Sequence, residues 1–103
     1  MVYLLHFERP ISSRHTCQHY IGYTDDLARR MQAHRAGNGA RLVEVAAERG
    51  IGFEIVRVWR GDRAFERRLK RQHNGPRLCP ICGDGNGMSE NELTQDEVAA
   101  LIQ

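Results

Sequence analysis

Apolar residues along the chain fall into short runs separated by polar, glycine-bearing breaks, and the period of each run predicts its element. Residues 2–7, V-Y-L-L-H-F, are rich in β-formers and too few for a helix, which predicts a buried strand with Tyr3, Leu5 and Phe7 on one face. Pro10, Ser12 and Ser13 mark a loop. A second strand over Thr16–Tyr23 then completes an antiparallel hairpin. From Tyr20 the chain reads strand, turn, helix. Thr24 is the predicted N-cap, Asp25 and Asp26 the acidic first turn, and Leu27, Ala28 and Met31 the apolar side. Arg30 and His34, four residues apart, stand together on one face of that helix.

Gly37-Asn38-Gly39 stops the helix and turns the chain. A second helix is predicted over Ala40–Arg49, with Leu42, Val45 and Ala46 inward and Gly50 at its end. Residues 52–60 alternate as a third strand, with Phe53, Ile55 and Trp59 in phase. Asp62 caps a third helix reaching to about His73, with Phe65 and Leu69 inward, and Asn74-Gly75-Pro76 ends it. After a glycine-rich loop, Thr94-Gln95-Asp96-Glu97 forms a capping box ahead of Val98, Leu101 and Ile102. The expected fold is α+β: a small three-stranded antiparallel sheet flanked by helices, in the order β-β-α-α-β-α, plus a short C-terminal helix. The expected division places one domain at residues 1–78 and a distinct tail at 79–103.

Composition sharpens this picture in two ways. The 103 residues suit one domain's core and not two. The net charge of +2 conceals an uneven distribution. Residues 1–77 hold all 15 Lys and Arg against 8 acids, a net +7, while residues 78–103 hold 5 acids and neither Lys nor Arg, a net −5. Arginine supplies 14 of the 15 cations, and its planar fork suits phosphate oxygens, so a polyanion is the natural partner of the body. The acidic tail could fold over that body and compete with phosphate. The N-terminus M-V-Y-L-L-H-F-E lacks a basic lead and a small-residue cleavage site, and apolar runs are short. A membrane span and a secretory signal are therefore not expected, and the predicted location is cytoplasmic. Three cysteines, an odd number, argue against a disulfide framework.

On the predicted frame, chemistry-bearing residues gather at the ends of elements. Tyr3 and Tyr20 lie on paired strands, Arg30 and His34 on the next helix, and Glu66 in the N-terminal half of the last body helix. Two phenols, a guanidinium, an imidazole and a carboxylate suit phosphodiester hydrolysis: they can orient or deprotonate water, neutralise developing charge and hold a hard divalent ion. Singly, each has an ordinary structural role. The tyrosines could be half-buried strand aromatics, Arg30 and His34 a solvated helix face, and Glu66 with Lys70 an exposed i,i+4 ion pair worth about 0.3–0.5 kcal/mol.

Taken in order, V-Y-L-L at 2–5, Y-I-G-Y-T-D-D-L-A-R-R-M-Q-A-H at 20–34 and F-E-R-R-L-K at 65–70 resemble the signature blocks of the GIY-YIG nuclease superfamily. The resemblance spans roughly residues 2–77. It implies a divalent-metal-dependent DNA endonuclease, with Tyr3 and Tyr20 aligning the water and scissile phosphate and Arg30, not Arg29, stabilising the transition state. It further implies a supporting or proton-handling role for His34 and a Mg²⁺ or Mn²⁺ ligand in Glu66. Lys70, one turn on, is a supporting candidate in the same cleft, whereas the spacing of Asn74 from Glu66 is not diagnostic. The first block has V-Y where the family name has G-I-Y, and the interval from Tyr3 to Tyr20 is long, so the loop at 8–16 is an elaboration able to touch DNA or a partner. One compact site implies one strand cut per visit, with a homodimer or protein partner needed for two. With no attached DNA-reading domain, recognition of a DNA structure such as a flap, nick or damaged strand is expected over recognition of sequence, in keeping with DNA repair. The alternatives are a non-catalytic nucleic-acid-binding or adaptor module of the same fold, and a small zinc-binding interaction protein.

Cys79-Pro80-Ile81-Cys82-Gly83 resembles one knuckle of a zinc ribbon. Tetrahedral zinc needs four ligands, and no second C-x-x-C exists. His73 is near in sequence, and His15, Cys17 and His19 would share a strand face opposite Tyr20. A structural Zn²⁺ on Cys79 and Cys82 is set against two free thiols at a turn.

Overall fold

The computed structural model describes residues 1–12, 18–72, 75–83, 85 and 90–102. Its elements are strands β1 (Val2–Phe7), β2 (His19–Tyr23) and β3 (Phe53–Trp59), and helices α1 (Leu27–Arg35), α2 (Arg41–Glu48), α3 (Arg63–Gln72), α4 (Gly75–Leu78) and α5 (Gln95–Ile102). The sheet is antiparallel in the order β2-β1-β3, so the first strand is central. This is the predicted α+β architecture. The short α4 was not expected; Pro76 lies inside it, near its start, where a missing N–H costs nothing. His15, Thr16, Cys17, His73 and Asn74, named as strand, zinc or site candidates, lie outside the described residues.

Alternation along β1 divides the interior in two. Tyr3, Leu5 and Phe7 join Leu27, Met31, Val43, Ala46 and Val58 on one side. Val2 and Leu4 join Ile21, Trp59, Phe65, Leu69, Leu78 and Cys79 on the other. Trp59 was expected in phase with Phe53 and Ile55, and it is not. Leu4 pairs with Arg57 and Leu5 with Ile55, leaving a bulge at Val56. One extra residue reverses the side-chain phase of everything after it, which sends Trp59 to the opposite face. The buried stripe of α2 also differs, centring on Val43 and Ala46, with Leu42 and Val45 only partly covered.

The cap of α1 is a third correction. Asp26, with φ of −138°, accepts the Arg29 N–H on Oδ1 at 3.2 Å. Thr24 instead turns the chain beforehand, its Oγ1 accepting the Asp26 N–H at 3.0 Å and donating to the Asp26 carbonyl at 3.1 Å. Asp62 caps α3 as predicted, Oδ1 accepting the Phe65 N–H at 2.9 Å. The Thr94/Glu97 capping box also closes in both directions, at 3.0 and 3.2 Å.

The tail is woven into the body. Residues 91–93 run beside the β3 edge, the Arg60 N–H donating to the Asn91 carbonyl and the Leu93 N–H to the Val58 carbonyl, each at 2.8 Å. This covers an otherwise open strand edge. Glu92 binds the buried Arg57 through two hydrogen bonds, of 2.6 and 2.9 Å, and Glu97 meets Arg60 at 2.6 Å. Among the described residues, the acids of the tail that form ion pairs therefore engage Arg57 and Arg60, not Arg30. The described part of the hairpin loop also packs on the body: Ile11 is buried, the Glu8 N–H donates to the Gly52 carbonyl at 3.0 Å, and Arg49 donates to the Ile11 carbonyl at 2.9 Å. Among the described residues no helix is long and apolar enough to cross a membrane.

Candidate active site

The site begins with two neighbouring strands. Tyr3 pairs with Gly22 across β1 and β2, and Tyr20 pairs with Leu5, so both phenols rise from the same face of the sheet. Their ring centroids are 6.2 Å apart. Gly22 makes this crowding feasible. A Cβ there would overlap the hydroxyl of Tyr3 and lie 2.5 Å from its Cζ and 2.8 Å from Cε2 of Tyr20. The glycine of Y-I-G is thus the floor on which the Tyr3 ring lies.

Helix α1 supplies the next two groups. His34, 1% exposed, is an interior residue and not part of a solvated helix face. Its Nε2 lies 2.7 Å from the Tyr3 hydroxyl, and its ring meets Tyr3, Tyr20 and Phe53 edge-on at centroid distances of 5.8, 6.0 and 6.2 Å. Gly39, at φ of +109°, closes over the other side: a Cβ there would stand 3.0 Å from His34 Nδ1 and 3.7 Å from an Arg30 Nη1. That Nδ1 is buried and faces the Asn38 backbone without a well-formed hydrogen bond. Burial first, and the Arg30 charge second, lower the His34 pKa, against an opposing pull from Asn38. The ring is therefore neutral near pH 7 and can accept a proton. Arg30 is partly buried and its charge acts on both Tyr3 and His34, whereas Arg29 is exposed.

Tyr3 is a poor phenolate. Burial, followed by the adjacent phenol of Tyr20, raises its pKa; Arg30 pulls it down and Glu66 raises it further. The phenol keeps its proton at neutral pH and acts through hydrogen bonding.

Helix α3 completes the cluster. Its Phe65 and Leu69 are buried beneath the sheet's other face, so Glu66 and Lys70 occupy the flank beside β2. Glu66 has a side chain 12% exposed and one oxygen 3.4 Å from Lys70 Nζ; Lys70 also lies over the Tyr20 ring, 5.6 Å from its centroid. The structure thus brings Tyr3, Tyr20, Arg30, His34, Glu66 and Lys70 into one neighbourhood. A shielded carboxylate whose ion pair among the described residues is long is a fitting donor for a hard cation, since Mg²⁺ takes one or two carboxylates and fills its shell with water and phosphate.

A second group lies on the opposite face of the sheet: the potential ligand atoms of His6, His19, Cys79 and Cys82 are all within 4.8 Å of one another. His19 is one of the partners considered for the cysteines. His6 was missed, although it alternates with Val2 and Leu4 and stands directly opposite His19 in the hairpin.

A small antiparallel sheet presenting two tyrosines to a helix-borne arginine and histidine, with a carboxylate on a later helix, is the arrangement that the three sequence blocks pointed to. The chain belongs to the GIY-YIG family, a family of nucleases: the GIY-YIG catalytic domain matches residues 2–78. No curated protein and no solved structure matches the chain.

Proposed function

We propose that this protein is a divalent-metal-dependent DNA endonuclease that hydrolyses one phosphodiester bond per encounter and is directed by DNA structure more than by sequence. The observation carrying the proposal is the convergence of a partly buried cation, Arg30, and a shielded carboxylate, Glu66, on the hydrogen-bonded Tyr3–His34 pair. A module that only bound nucleic acid would gain nothing from a carboxylate beside phosphate, because like charges repel.

In this reading the Tyr3 hydroxyl holds the attacking water. As the water oxygen bonds to phosphorus and the opposite P–O bond breaks, the water's proton passes to Tyr3 Oη while the Tyr3 proton passes to His34 Nε2, and the departing oxygen takes a proton from solvent. Tyr20 fixes the phosphate against the sheet, and Arg30 neutralises charge on the non-bridging oxygens. Glu66 would hold the Mg²⁺ or Mn²⁺, which when bound would supply Lewis-acid stabilisation of the phosphoryl group. Lys70 holds the Glu66 carboxylate in place. Arg63, Arg67 and Lys70, at successive helical spacings on the exposed flank of α3, form a track for the flanking backbone phosphates.

The test incubates the protein with supercoiled, branched and single-stranded DNA in the presence of Mg²⁺ or Mn²⁺. Nicking that prefers the branched substrate over a linear duplex of the same sequence is expected. Absence of cleavage on every substrate overturns the proposal.

A further inference from the structure

The cluster on the far side of the sheet does not enter this mechanism. His6 and His19 are cross-strand partners near the hairpin end of β1 and β2, with ring centroids 5.3 Å apart. Cys79 and Cys82 arrive from a tight turn directly after α4, in which the Gly83 N–H donates to the Cys79 carbonyl at 2.8 Å. Gly83 is pressed against backbone: a Cβ there would lie 2.6 Å from the Pro76 carbonyl oxygen and 2.9 Å from the Arg77 Cα. The turn is therefore seated in one position on α4, and its two sulfurs face the two imidazoles.

The distances have a specific pattern. His6 Nδ1 stands 3.4 Å from His19 Nε2, 3.6 Å from Cys79 Sγ and 3.5 Å from Cys82 Sγ. A ring nitrogen offers one proton or one lone pair, so three such neighbours cannot all be satisfied by hydrogen bonds. A shared cation satisfies them together. With Zn–N about 2.05 Å and Zn–S about 2.3 Å, a regular tetrahedron has edges of about 3.3 Å between nitrogens and about 3.6 Å between nitrogen and sulfur. The three separations fall on these edges. Two thiolates and two neutral imidazoles are the ligand set for which Zn²⁺ is the usual ion, and they balance its charge, which suits a site where Cys79 is fully buried and His19 only 8% exposed.

We propose that His6 Nδ1, His19 Nε2, Cys79 Sγ and Cys82 Sγ form a closed tetrahedral Zn²⁺ site that clasps residues 79–83 to the back of the catalytic sheet. Four protein ligands leave no position for substrate, so the role is structural. Its place in the fold supports this role: the family match ends at residue 78, the histidines lie within it and the cysteines immediately after it. Leu78 and Cys79 belong to the apolar layer of Val2, Leu4 and Ile21, and the ion closes the end of that layer. The site ties the tail to the strand that carries Tyr3, three residues before His6, while remaining on the opposite face from the phenols. The proposal is independent of the nuclease reading.

The test is elemental analysis of the full chain purified without chelator, together with the visible spectrum after exchange of the bound metal for Co²⁺. Stoichiometric zinc is expected, with intense absorption from tetrahedral cobalt and a thiolate-to-cobalt charge-transfer band. Cys82→Ser and His6→Ala should each lower zinc content and alter the cobalt spectrum, and Arg30→Ala should change neither. Zinc far below stoichiometry with no tetrahedral cobalt spectrum overturns the proposal, as does wild-type zinc and spectrum in both ligand variants. Should a variant fail to fold, the wild-type spectrum still decides, because its charge-transfer band requires thiolate ligation.

Discussion

The hydroxyl of Tyr3 and Nε2 of His34 are 2.7 Å apart, joining the central strand to the first helix inside the protein. Neither residue is suited to ionise alone: burial favours the neutral form of each. In the proposed reaction this pair is the relay, Tyr3 taking the proton of the attacking water as it passes its own to His34.

Because the folded His34 pKa lies below the usual 6.5, the imidazole stays neutral through the weakly acidic range, and the acid limb of kcat/KM should fall below that value. The unfolded chain binds more protons in the interval between the two pKa values. The contribution of His34 to stability is thus complete above about 6.5 and is lost progressively as pH falls toward the folded value. His34→Gln should abolish the acid limb with a large loss of rate and should flatten stability against pH over that interval. A pH–rate profile paired with denaturant titrations reads both.

Gly22→Ala should uncouple folding from activity. The added methyl displaces the Tyr3 phenol and the Tyr20 ring, an overpacking cost of about 1–3 kcal/mol in stability. Misplacing a catalytic group by about 1 Å can cost about 100-fold in rate. Circular dichroism should therefore show a retained fold while the nicking rate collapses.

Lys70→Ala should leave stability within about 1 kcal/mol, as its ion pair with Glu66 is long and its side chain 48% exposed. DNA affinity should fall, and the slope of log affinity against log salt should become shallower by about 1, the loss of one phosphate contact. Fluorescence anisotropy across a salt series measures this.

Glu92→Ala should destabilise the fold by about 3 kcal/mol. It leaves the Arg57 side chain, 2% exposed, without its two charged hydrogen bonds, and the partial exposure of Glu92 keeps the cost at the lower end for a broken buried pair. Among the contacts Arg57 keeps are weaker ones, with the Leu78 carbonyl at 3.3 Å and the Trp59 ring at 4.8 Å. Urea denaturation provides the measurement.

These outcomes also show where sequence was informative. The short β-rich run V-Y-L-L-H-F predicted a strand, whose period of two put Tyr3 with Leu5 and Phe7, and Asp62, Thr94 and Glu97 announced their caps, because each of those signals is local. The Val56 bulge carries no local mark, so the position of Trp59 follows only from pairing with β1. The choice of Asp26 over Thr24 as cap likewise depends on how the strand leaves the sheet. At the candidate site the spacing of the blocks singled out Tyr3, Tyr20, Arg30, His34 and Glu66, but burial of His34 depends on Gly39 and Phe53 closing over it. The Cys79/Cys82 half-site was visible, whereas its completion by His6 and His19 required knowing that the chain returns from α4 to the hairpin's outer face.

The most direct measurement is the rate at which supercoiled plasmid is nicked, with Mg²⁺ or Mn²⁺, by the wild-type chain and by Arg30→Ala and Glu66→Ala. Loss of one preorganised group that stabilises developing charge typically costs about 10²–10³-fold, so both variants should nick at least about 100-fold more slowly while keeping the wild-type fold. Equal nicking by all three proteins would contradict the account.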